Sequence, residues 1–376
     1  MNRKLSLCAS LALVSLIGIG VSPTDAAAAT TRTRAKTPAK STRTLAKPTA
    51  KSTSLKTGTK TSPPTTASGR KPARPTAYSA ERSLSRKQTL ARARAVAMAR
   101  EMADTVLPRY KVDAGGDLVP DVHAAAAIIY NPETNQVLWE ENSQSQRSIA
   151  SITKVMTATV FLENNPDLAE PVTVARSDVF QASTTHLRAN DKVTADDLLH
   201  LLLIASDNAA ARALARVSPF GSDGFIRRMN EKAEELGLQS THYADPSGLL
   251  SENVSSAYDM ARLITHASQD ERVSSIMRTY EYTVHSGKRP ITFHSTNHLL
   301  GRPDVDVRAG KTGFISKAGY CLATVLRLPQ GGQDVAVVVF GARSNAGRFL
   351  ESQNLFNWVT SKASTLFAAK TPEQQN

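Results

Sequence analysis

The stretch SIASITKVMTATVFL, residues 148–162, is apolar enough to be buried along most of its length, yet it carries Lys154 near its start. An unpaired ammonium inside a protein is costly, so such a lysine must either snorkel to solvent or have partners and a use. On a helix the side chain three residues earlier shares its face, and here that residue is Ser151. A serine hydroxyl is nearly inert at neutral pH until a base takes its proton. Burial and a second cation lower a lysine's pKa enough for it to be that base. The segment therefore predicts a buried helix whose lysine acts on a serine, provided that the chain also supplies a second cation and an oxyanion site.

The chain ends are unlike the rest. Arg3 and Lys4 precede the apolar run LSLCASLALVSLIGIGV, and TDAAAAT follows with small residues suited to cleavage. Residues 1–29 are expected to be a signal peptide, with a retained anchor as the alternative, and the mature protein is expected in the periplasm. Cys8 leaves with the signal, so Cys321 is the one cysteine of the mature chain and no internal disulfide can form. An ordinary hydrophobic core must stabilise the fold, and the chain is long enough to bury one.

The net charge of +13 is a local property. Residues 31–90 hold 15 Lys and Arg against the single acid Glu81, whereas residues 91–376 hold 29 basic and 31 acidic residues. Residues 30–82, rich in Thr, Lys, Pro and Ala, have almost nothing to bury and are expected to be disordered. Export and the lack of interleaved aromatics argue against a nucleic-acid arm. The segment is then a solvated tether, or a patch that holds anionic lipid or wall polymer by charge.

Residues 83–118 are expected to form a helical linker into a folded domain over 119–370, with 371–376 as a tail. HAAAAIIYNPETNQVLWEEN reads as a β-hairpin around NPETNQ. Helices follow: the opening stretch, TADDLLHLLLIA with Thr194 and Asp197 as a capping-box variant, and SDGFIRRMNEKAEELGL ending at Gly237. Strands return with DVRAGKTG, which Lys311-Thr312-Gly313 ends, then GYCLATVLRL and VAVVVFGAR about the turn PQGGQD. A last helix should place Phe349, Phe356, Val359, Ala363 and Phe367 on one face. This order predicts an α/β (α+β) fold: one antiparallel sheet flanked by helices, with a helical subdomain inserted in its middle.

Short motifs recur too often to decide anything singly. Ser68 and Lys71 also have S-x-x-K spacing, Lys56-Thr57-Gly58 is a second K-T-G, and S-x-N occurs at Ser251, Ser295 and Ser352. Only one set has structural context. Ser151 and Lys154 begin an apolar helix, Ser206-Asp207-Asn208 follows another, and Lys311-Thr312-Gly313 ends a strand. The order S-x-x-K, S-D-N, K-T-G is that of class A β-lactamases and penicillin-binding proteins.

With IASITKVMTA, TADDLLHLLLIASDNAAARALA, MNEKAEELGLQSTHYADPSGL and STNHLLGRPDVDVRAGKTGFISKAGYCLA beside these motifs, residues from about 119 to 369 resemble the low-molecular-mass penicillin-binding proteins, D-alanyl-D-alanine peptidases of the S11 type. The last stretch is most similar to the endopeptidase subgroup, which cuts peptidoglycan cross-links. The resemblance implies a β-lactamase/transpeptidase-like fold, peptidoglycan stem peptides as substrate, β-lactam antibiotics as ligands and no cofactor. It implies Ser151 as the nucleophile, Lys154 as its base and Ser206 as the relay to the leaving amine. Asn208 would hold substrate and lysine. Lys311 would supply charge near the substrate carboxylate and keep Lys154 deprotonated, and Thr312 and Gly313 would line the substrate strand. The backbone N–H groups of Ser151 and Phe314 would form the oxyanion hole, a feature whose donors are worth roughly 10²–10³ in rate.

Four conspicuous residues have blander expectations. His294 and His298 are spaced i, i+4 but lack an acidic third ligand, so no metal is expected. Asp207 should be structural, and Cys321 a small hydrophobe on a core strand. Among rival functions, a class A β-lactamase would need an E-x-x-L-N element, which LGLQSTHYADPSGL does not contain. A silent wall-binding protein would have no need of the complete motif set. Only 63 residues follow Gly313, which leaves an expected domain without the extra C-terminal module of many carboxypeptidases. That favours an endopeptidase, with carboxypeptidase as the alternative.

Overall fold

Strands buried almost throughout, with successive side chains entering opposite cores, decide the architecture. The computed structural model describes residues 88–96, 99, 109–329 and 332–368. Five strands, β1 (Ala126–Asn131), β2 (Gln136–Glu141), β3 (Asp306–Ile315), β4 (Gly319–Arg327) and β5 (Asp334–Ala342), form an antiparallel sheet in the order β3-β4-β5-β1-β2. Across the β5–β1 pair, Val337 faces Ile129 and Val338 faces Ile128. Ile128, Tyr130, Val338 and Phe340 enter one core, while Ile129, Val335, Val337 and Val339 enter another on the opposite face. Period-two alternation with both faces apolar requires a cover on each side.

The helices supply those covers. Between β2 and β3 run α1 (Thr153–Leu162), α2 (Ala195–Leu203), α3 (Asn208–Val217), α4 (Gly221–Glu235), α5 (Ala257–Ser268) and α6 (Glu271–Met277). Helix α5 lies on the sheet and the others extend the first core into the expected helical insertion. After β5, α7 (Asn345–Ser361) covers the second face with Phe349, Leu355, Phe356, Trp358 and Val359. The start signals read from sequence are in place. Thr194 accepts the Asp197 N–H at 3.0 Å while Asp197 accepts the Thr194 N–H at 2.9 Å, and Gly237 turns the chain after α4 with φ +64°.

Several expectations need correction. Residues 88–96 and 99 are helical, but the helical linker does not run to 118: Tyr110–Val112 pairs antiparallel with Leu118–Pro120. Asp113 closes that turn by accepting the Gly115 and Asp117 N–H groups, and Gly116 adopts φ +87°. The strand pair packs on α7, where Trp358 Nε1 donates to the Leu118 carbonyl at 3.0 Å. Lys311-Thr312-Gly313 does not end its strand but lies inside β3, whose pairing continues to Ile315 opposite Gly319. The last helix is broken after Ser361, with a shorter one at Ala363–Ala368, although Phe349, Phe356 and Val359 are buried as their spacing predicts. A hairpin of Glu281–Ser286 with Arg289–His294, not anticipated from sequence, turns at Gly287, φ +60°. The signal, the basic segment and the C-terminal tail lie outside the described residues. Among the described residues no helix is long and apolar enough to cross a membrane.

Candidate active site

Each element delivers one piece of the site. A 3₁₀ turn at Ala150–Ile152, with Ala150 at φ +50°, presents Ser151 just before α1. One turn on, Lys154 is fully buried and donates to Ser151 Oγ at 2.9 Å, to Asn208 Oδ1 at 2.7 Å and to the Ser247 carbonyl. Lys154 is therefore accommodated by partners, not by snorkelling. Asn208 begins α3 and its amide donates to the Ala182 carbonyl at 2.7 Å, which fixes the side chain's orientation.

Asp207 is structural in the way expected. It N-caps α3 by accepting the Ala210 N–H at 3.0 Å, and its other oxygen accepts the His186 N–H at 2.6 Å. Beside it Ser206 stands at φ +59°, with its hydroxyl 2.8 Å from Lys311 Nζ. Lys311 also donates to the Thr312 carbonyl at 2.8 Å, and the Thr312 hydroxyl meets that of Thr296 at 2.6 Å. Glycine is required at 313 because a Cβ there would lie 2.7 Å from the Ile149 carbonyl oxygen. β3 is the sheet's edge strand, and the half-exposed Phe314 ring on it stacks against Tyr320 at 4.2 Å.

Burial sets the electrostatics. The Lys154 ammonium is lowered to about 7, chiefly because it has lost water. Asp245 and Asp207 oppose that shift and Arg212 reinforces it. Lys311 is lowered well below its ordinary value by burial first, then by Lys154 and Arg348. Burial is the largest cause at both lysines, and the repulsion between their ammonium groups disfavours charging both at once.

Six of the eight expected residues (Ser151, Ser206, Asn208, Thr312, Gly313 and Phe314) line one cleft of about 470 Å³, and Lys154 and Lys311 are bonded to its serines from below. Ser68, Lys71 and Lys56-Thr57-Gly58 lie outside the described residues, and Ser352 is buried in α7. His294 pairs with Glu281, and His298 stacks on Phe349. Cys321 is a buried free thiol whose pKa burial raises to about 11.

Other contributors went unread in the sequence. Asp245 organises the turn that offers the Ser247 carbonyl, accepting the Gly248 N–H at 2.9 Å and the Leu250 N–H at 2.7 Å. Gly248, φ +78°, lets that turn close on Ala150, whose carbonyl oxygen would lie 2.1 Å from a Cβ. Arg348 reaches the cleft from α7 and donates to the Gly313 and Cys321 carbonyls at 3.0 and 3.2 Å. A basic residue inside GRFLESQNLFNW was a signal of the kind that flagged Lys154. Thr296 carried no signal, since a loop threonine is commonplace. Chemically the cleft offers a hydroxyl beside a buried amine of near-neutral pKa, and a second hydroxyl beside a second amine.

The model of the family Peptidase S11, described as D-alanyl-D-alanine carboxypeptidase, matches residues 114–344. The D-alanyl-D-alanine endopeptidases of Escherichia coli strain K12 and Haemophilus influenzae are 33% and 35% identical over 244 and 230 residues. Those matches cover 64% and 60% of this chain and 78% of each relative. The D-alanyl-D-alanine carboxypeptidase DacF of Bacillus subtilis is 30% identical over 250 residues, covering 64% of this chain and 63% of the relative. Among solved structures, the Streptomyces K15 DD-transpeptidase superposes with a TM-score of 0.60 at 28% identity, covering 64% of this chain and 98% of that one.

Proposed function

This chain belongs to the S11 family of serine DD-peptidases, with the β-lactamase/transpeptidase fold, and we propose that it is an endopeptidase that cuts peptidoglycan cross-links through an acyl-enzyme on Ser151. The observation that carries the reading is the 2.9 Å contact between Ser151 Oγ and a buried Lys154 whose pKa is about 7. At that value an appreciable fraction of the amine is neutral and can accept the serine proton.

In the proposed reaction the Ser151 oxygen attacks a D-alanyl carbonyl as its proton passes to Lys154. The Ser151 and Phe314 N–H groups take up the developing negative charge. The C–N bond then breaks while Ser206, whose hydroxyl Lys311 holds at 2.8 Å, hands its proton to the leaving amine and takes in its place the proton that Lys154 removed from Ser151, so that Lys154 is neutral again. Lys154 then takes a proton from the water that attacks the ester and returns it to Ser151 Oγ as the acid leaves. A substrate carboxylate near Lys311 raises that lysine's pKa again, and the recharged ammonium then favours the neutral form of Lys154. Strained β-lactams should acylate the same serine.

Similarity to endopeptidases over most of their length, and the open cleft, favour the cross-link as substrate. In the cross-link the leaving side is a bulky peptide whose D-centre still carries a carboxylate. We place the enzyme in the periplasm on the strength of its N-terminal signal, with residues 30–82 holding it to anionic envelope polymer or lipid. Incubation with dimeric muropeptides, followed by mass analysis, should yield monomers faster than pentapeptide monomers lose D-alanine. Free D-alanine appearing while dimers persist would make it a carboxypeptidase.

A further inference from the structure

Thr296 belongs to none of the three motifs, yet it joins both walls of the cleft. Its N–H donates at 3.1 Å to the carbonyl of Ile204, two residues before Ser206, and its hydroxyl lies 2.6 Å from that of Thr312 on β3. The flanking residues hold it there. The Ser295 N–H donates to the Tyr280 carbonyl at 2.7 Å, and the Asn297 side chain is wedged where a Cβ on Gly310 would come within 2.4 Å.

A donor count gives this contact its meaning. Once a bound carboxylate has recharged it, the Lys311 ammonium has three N–H donors, of which two go to Ser206 Oγ and the Thr312 carbonyl. One remaining N–H does not fill a carboxylate, which offers about four lone-pair sites. Two hydroxyls that share one hydrogen bond use one proton between them and leave the other to donate. When Thr296 donates to Thr312, the proton left over is the one on Thr312, beside Lys311. Without the Thr296 hydroxyl, the Thr312 O–H is free to rotate among its staggered positions.

We propose that Thr296 is a positioning residue that aims the Thr312 hydroxyl at the substrate carboxylate, and thereby sets the enzyme's preference for a carboxylate over a carboxamide on the leaving side. This rests on the reading of Lys311 and Thr312 as the carboxylate site.

The test uses two soluble acyl-D-alanyl thioesters whose leaving groups differ only in ending in a carboxylate or a carboxamide. Thr296→Val keeps the volume and removes the hydroxyl. It should lower kcat/KM on the carboxylate substrate about tenfold, mainly through KM, and leave the carboxamide substrate within about twofold of wild type. Thr296→Ser should restore the wild-type ratio, and Thr296→Ala serves in its place if the valine variant does not fold by circular dichroism. Equal losses on both substrates, no loss on either, or failure of serine to rescue would overturn the role of Thr296. A wild-type enzyme indifferent to the carboxylate would overturn the underlying site assignment, and the proposal with it.

Discussion

Gly313 passes so close to Ile149 that a Cβ on it would lie 2.7 Å from the Ile149 carbonyl oxygen and 3.2 Å from the Ser151 N. Both contacts are backbone, so neither can swing away. Gly313→Ala must therefore push the 3₁₀ turn that bears Ser151 off β3. Acylation by a labelled penicillin should fall at least about tenfold, and stability should drop by about 1–3 kcal/mol in a denaturant titration. Unchanged acylation with normal stability would mean that the turn adapts freely.

Ser151→Ala should take up no labelled penicillin, while Ser68→Ala should label like the wild type. Mass analysis of the labelled peptide should place the adduct on Ser151. Equal labelling of the two variants would remove Ser151 as the nucleophile.

Acylation should rise with pH through about 7, because protonated Lys154 cannot accept the serine proton and neutral Lys154 can. Lys154→Ala should abolish acylation. Lys311→Ala should weaken it severely, through lost carboxylate binding. A wild-type rate that is flat from pH 5.5 to 8.5 would show that the base is another group.

The same burial couples Lys154 to stability. The folded state holds this amine neutral from about pH 7 upward, whereas the unfolded chain keeps it protonated up to its ordinary value of 10.5. Between those limits the unfolded state binds the extra proton, so unfolding free energy rises with pH. Relative to Lys154→Met, the wild type should gain up to about 1.4 kcal/mol per pH unit above pH 7, measured by urea unfolding at several pH values. Parallel stability profiles for the two proteins would refute the assignment.

Deleting residues 31–80 should leave turnover of a small soluble substrate unchanged, since all eight site residues lie beyond the deletion. Sedimentation with anionic wall or membrane preparations should weaken and lose its salt dependence. A large fall in soluble turnover would show that the segment serves the catalytic domain directly.

Local chemistry and period were enough to determine much of this protein from its sequence. Apolar runs on either side of turn-forming residues marked the central strands, the Thr194–Asp197 pair marked the start of α2, and three ordered motifs marked five residues of one cleft and the two lysines bonded to its serines. Each of those signals lies within a few residues of its own position. Contacts between distant segments left no such trace. The Ser247 carbonyl that receives Lys154 lies 93 residues away, Lys311 lies 105 residues from Ser206, and Thr296 reaches Thr312 only because a hairpin returns the chain to the sheet edge. The pairing of a lysine with a serine could be read from spacing three apart. That the lysine's pKa falls to about 7 could not, because desolvation is produced by every element packed around Lys154 and exists only once they have folded together.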